Sequence, residues 1–126
     1  MYKRQEHAPF EIERLRTFLL GMTNKRRILE KGNLQPDVVP LVRIPAAAGS
    51  SELVAQVKQV LDVGVYGVFF PAVGTREQTE LAVRATRYPQ YRDAPDFEPQ
   101  GLRGRNPANA SWYWGCLLYT SPSPRD

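Results

Sequence analysis

Side chains that bind metals or form disulfides are scarce: the 126 residues include one cysteine, Cys116, and one histidine, His7. A single cysteine excludes an internal disulfide, so nothing argues for an oxidising compartment. No apolar run approaches the length of about 18 residues needed to cross a bilayer. The N-terminus has neither an apolar h-region nor a small-residue cleavage site, so no secretory signal is expected. The expected location is cytoplasmic. No glycine-rich dinucleotide or phosphate-binding loop is present, and no zinc-finger spacing or RNA-binding aromatic pattern. Charge of one sign is also lacking, since 17 basic residues stand against 13 acidic ones for a net of +4. The densest basic group, Lys25-Arg26-Arg27, sits beside Glu30 and Lys31 and reads as a solvated helix face. Neither nucleic acid nor a membrane is an expected partner.

The two ends look foreign to the rest. Residues 116–126 match, in frame, the translation of a transposase library adapter, and residues 1–5 (Met-Tyr-Lys-Arg-Gln) match the complementary arm of the same adapter. A natural Ser/Pro tail would account for one end but not for both. The natural segment is therefore expected to run from 6 to 115. Without Lys3, Arg4, Arg125 and Asp126 it carries 14 basic and 12 acidic residues, about +2, and it loses Cys116. A small basic binding module, the first alternative for this chain, becomes weaker on that count.

Within 6–115 the apolar residues are periodic. Ile12, Leu15, Phe18, Leu19 and Met22 fall at helical spacing in a helix opening near Pro9, which Gly21, Thr23 or Gly32 would end. Val38 to Ile44 and Val65 to Val73 are short apolar runs rich in β-branched residues, suited to buried parallel strands. Between them Ser50 or Ser51 would cap a helix with the stripe Leu53, Val57, Val60 and Leu61, closed by Gly64. Thr75 to Gln78 has the form of a capping box opening a helix to about Arg87. Tyr88 to Asn109 lacks periodicity and reads as a long loop. Strands alternating with helices imply an α/β fold of parallel βα units. Ligand sites in such units form at the C-terminal ends of the strands, here Arg43-Ile44-Pro45 and Pro71-Ala72-Val73.

Several landmarks in order carry a family resemblance: Glu6-His7-Ala8-Pro9, Val42-Arg43, Leu61 to Gly64, Pro71-Ala72-Val73, Val83 to Pro89, and Gly101-Leu102-Arg103-Gly104. Together they resemble the HpcH/HpaI aldolase family. The resemblance implies part of a (β/α)₈ TIM barrel, about two or three βα units, from an enzyme that reversibly cleaves 4-hydroxy-2-oxo acids to pyruvate and an aldehyde. It implies a divalent metal (magnesium, manganese or cobalt), a small 2-oxo acid substrate and a homo-oligomer, a hexamer. It also implies that His7 is the catalytic histidine and that Arg43 contacts the 2-oxo oxygen of the substrate.

The chemistry suits those residue types. Cleaving the C3–C4 bond leaves a pyruvate enolate, and a permanently charged guanidinium stabilises its oxygen. A histidine of near-neutral pKa can take the 4-hydroxyl proton. Read without the family, His7 would be an ordinary surface residue and Arg43 would pair with a carboxylate. Arg103 between glycines reads as a loop anchor or as a site residue.

Departures from the family pattern are equally visible. Arg4 stands where the family has an acidic partner for the histidine, and the metal-ligating carboxylates would come from strands beyond this chain. No metal is therefore expected to bind the fragment, which is expected to be inactive by itself. Extra residues at 91–99 and an aromatic segment at 111–115 mark a divergent subgroup. A CoA-ester or citrate-lyase-like member of the same barrel superfamily is the second alternative.

Overall fold

The computed structural model describes residues 2–4, 9–33, 37–47 and 49–104. Its elements in chain order are β1 (Tyr2–Arg4), α1 (Ile12–Gly21), α2 (Lys25–Lys31), β2 (Leu41–Arg43), α3 (Ser51–Asp62), β3 (Gly67–Phe69) and α4 (Arg76–Thr86). The three strands form one parallel sheet in the order β1-β2-β3.

The central strand sorts its residues by alternation. Val42 and Ile44 are fully buried, while Leu41 and Arg43 are only partly covered. Successive strand side chains point to opposite faces, so one face of β2 meets the helices and the other does not. Val42 and Ile44 share a single core with Leu15 and Leu19 of α1, Leu53, Val57, Val60 and Leu61 of α3, and Ala82 and Ala85 of α4. Burying one Val, Leu or Ile side chain contributes about 1.5–3 kcal/mol relative to exposure. All three long helices thus lie on one side of the sheet, with strand order following chain order. A doubly wound sheet would reverse its strand order and carry helices on both faces. The singly wound arrangement is compatible with part of an α/β barrel.

Local signals explain most boundaries. The α4 capping box forms as the residues suggest: Thr75 Oγ1 accepts from the Gln78 amide, and Gln78 Oε1 accepts from the Thr75 amide. Ser50 sits at the N-cap of α3, yet its hydroxyl donates to the Ala47 carbonyl at 2.9 Å instead of capping the helix. Of the ends open to the first helix, Gly21 is the one taken, and Asn24 then caps a separate helix, α2, by accepting from the Arg27 amide at 3.1 Å. Gly32, left-handed at φ 68°, ends α2, a conformation glycine adopts without a Cβ clash. No residue of α2 is buried, and Leu29 is 83% exposed.

Both strands are shorter than the apolar runs that announced them. Val38 and Val39 are exposed ahead of β2, and Pro40 between them and the strand has no N–H for a ladder. Pro71 and Ala72 form a turn after β3. The strand at Tyr2–Arg4 was not expected, because those residues read as adapter sequence. Parallel pairing uses backbone groups, which every non-proline residue supplies.

A parallel sheet is stable when both faces are covered and its strands are paired. Among the described residues β3 has one strand neighbour, and Phe69 is 48% exposed. The isolated chain is therefore expected to be molten or insoluble. A sharp thermal transition in a monomeric sample, with dispersed amide NMR signals, would refute this.

Candidate active site

The C-terminal ends of β2 and β3 build the rim of the sheet. Arg43 closes β2, half-buried, in register with Phe69 of β3 on one side and position 4 of β1 on the other. Neighbouring positions in register share a face, so Arg43 stands on the row opposite the helix layer. The ladder continues past it, with the Ile44 amide donating to the Phe69 carbonyl at 3.3 Å. Register also makes Arg4 and Arg43 directly neighbouring positions.

The loop after β3 borders the same rim. Ala72 has a φ of 58°, a left-handed backbone that costs an L-residue with a Cβ about 1–2 kcal/mol. Strain of this kind concentrates at functional loops, and nothing in the sequence of Pro71-Ala72-Val73 announced it. His7, with Glu6 and Ala8 around it, lies outside the described residues. So do the aromatic segment 111–115 and residues 116–126. Of the two expected catalytic residues, the described structure includes Arg43.

Arg103 lies at the other end of the sheet. Its side chain is 4% exposed; Nη2 donates to Asp62 Oδ1 at 3.3 Å, and the guanidinium lies 4.5 Å over the centre of the Tyr88 ring. Lys58 holds the second oxygen of the same Asp62 carboxylate. Asp62 ends α3 and Tyr88 follows α4, so this cluster occupies the N-terminal side of the strands. That is the face opposite the rim, associated with stability in barrels. Of the two roles open to it, Arg103 takes that of loop anchor.

The glycines beside Arg103 make the anchor possible. A Cβ at Gly101 would meet the carbonyl oxygens of Arg87 and Tyr88 at 2.3 Å, and one at Gly104 would approach Lys58 Cε at 3.1 Å. The Leu102 amide donates to Arg84 O at 2.7 Å and the Arg103 amide to Arg87 O at 3.0 Å. Arg87 also fastens the extra residues 91–99, donating to the carbonyls of Asp96, Glu98 and Pro99 and pairing with the Asp96 carboxylate at 2.6 Å. The insertion is thus fastened to the C-terminal end of α4 by Arg87, and its Glu98 and Pro99 reach along that helix toward Arg76, Thr79 and Glu80. Only the Gly-x-x-Gly spacing hinted at so close an approach.

A shallow groove between α4 and this loop, lined by Arg76, Thr79, Glu80, Glu98 and Pro99, contains no rim residue. Among the described residues no three His, Cys, Asp or Glu side chains are grouped to hold a metal ion. None of the described helices is long and apolar enough to cross a membrane.

With this geometry in place, comparison with known proteins is informative. The chain is similar to aldolases. It is 35% identical over 112 residues to the 5-keto-4-deoxy-D-glucarate aldolase of Escherichia coli strain HS, covering 89% of this chain and 34% of the relative. The enzyme of the same name from Escherichia fergusonii gives the same identity and coverage. The chain thus spans about a third of the length of the curated relatives it matches. No family model matches the chain, and no solved structure does.

The anchor cluster yields a test of its own. Among the described residues the Tyr88 hydroxyl is buried without a hydrogen-bond partner, so Tyr88→Phe is expected to leave stability at neutral pH unchanged or raised. Burial pushes this hydroxyl above its ordinary 10.0; Asp62 adds to the effect, while Arg103 and Lys58 oppose it. Above pH 10 the unfolded chain releases a proton that the folded chain retains, so stability falls as pH rises through that window. Tyr88→Phe should make the alkaline decline shallower in a soluble protein carrying this segment, with the raised Tyr66 still contributing. Denaturant midpoints measured from pH 7 upward check both points; an unchanged alkaline slope would refute the second.

Proposed function

We propose that this chain is a segment of a (β/α)₈ barrel enzyme of the HpcH/HpaI type, a cytoplasmic carbon–carbon lyase that cleaves 4-hydroxy-2-oxo acids to pyruvate and an aldehyde. The observation that carries the reading is Arg43, at the C-terminal end of a parallel strand and on the face away from the helices, in a chain similar over 89% of its length to aldolases. The one-sided helix layer supports the barrel. The name of the relatives' substrate fits the same chemistry. It describes a ketone beside a terminal carboxylate, then a deoxy carbon, then a carbon bearing a hydroxyl. Counted from that carboxylate, this is a 4-hydroxy-2-oxo acid.

The bond that breaks joins the deoxy carbon to the hydroxyl-bearing carbon. Its electron pair moves toward the ketone, whose oxygen becomes that of an enolate, and the hydroxyl carbon becomes the aldehyde. Arg43 stabilises the charge on that oxygen with a fixed cation whose protonation does not change at working pH. His7 accepts the hydroxyl proton, directly or through one water. The resemblance also implies a divalent metal that polarises the 2-oxo group. The described residues do not form a ligand set for it, and its carboxylate ligands are assigned to the part of the relatives' length that this chain does not span. A homo-oligomer is part of the same reading.

In the full-length enzyme, Arg43→Ala is expected to lower kcat for cleavage by roughly 10²-fold or more, the scale of losing one oxyanion donor. His7→Ala should cost roughly 10²–10⁴-fold, the usual contribution of a general base. Turnover near wild type in either variant, followed by pyruvate release, would remove that residue from its role.

The chain by itself is expected neither to bind a catalytic divalent ion nor to release pyruvate. One histidine and one arginine cannot supply the oxygen shell that magnesium requires. Metal-stimulated pyruvate release from the purified chain would contradict this.

A further inference from the structure

We draw no further inference here: the strongest candidate, the cluster of Lys58, Asp62 and Tyr88 around the buried Arg103 at the N-terminal side of the sheet, carries nothing because nothing among the described residues shows what would accept the Tyr88 hydroxyl, and the cluster is already accounted for as the anchor of the Gly101–Gly104 segment.

Discussion

The alternation of β2 is the constraint on which the rest of this structure depends. Val42 and Ile44 enter the helix-facing core without residual exposure, and this places Leu41 and Arg43 on the other face. A slip of one residue would exchange the two sets. It would put a guanidinium among Leu15, Leu53 and Val57, where an unpaired charge costs several kcal/mol, and would expose two β-branched side chains. The hydrophobic core therefore aims Arg43 as well as stabilising the sheet. The same packing requirement gathers α1, α3 and α4 on one side, leaving Arg43 on the opposite face.

The two ends of the sheet divide their work. At the C-terminal ends of the strands lie Arg43 and the strained Ala72, groups suited to contact with a substrate. At the N-terminal side a partly buried ion pair, a stacked aromatic ring and two close-packed glycines hold the loop after α4. Arg43 and Arg103 are the same residue type in sequence, and the end of the sheet each occupies separates their surroundings. Arg103 is paired and covered by Tyr88, whereas Arg43 terminates a strand beside Phe69. The insertion at 91–99 follows the second pattern of use. Arg87 gathers its carbonyls at the end of α4, and Glu98 and Pro99 lie along the same helix beside Arg76, Thr79 and Glu80.

Much of the architecture was legible in the chain before any coordinates. The stripe Leu53, Val57, Val60 and Leu61 and the Thr75–Gln78 capping box each combine local spacing with local hydrogen bonding, and both are present as read. The limits of the strands were less legible. Val38, Val39 and Pro71 belong to the apolar runs by composition. Strand length is set by which backbone groups find a partner, and composition does not record that. A break at Gly21 was one of the ends the residues offered, while the second helix that follows depends on the Asn24 cap.

The sequence by itself determined the parallel βα pattern, the position of Arg43 at a strand end and the kinship with aldolases, because periodicity and motif order are properties of neighbouring residues. Tertiary structure alone decided that Arg103 is an anchor and that the insertion is fastened to α4 by Arg87. It alone also decided that Ala72 adopts a left-handed backbone and that position 4 stands beside Arg43. Each of these depends on contacts between segments far apart in the chain, or on a turn imposed by such contacts, and no local pattern of residue types encodes them.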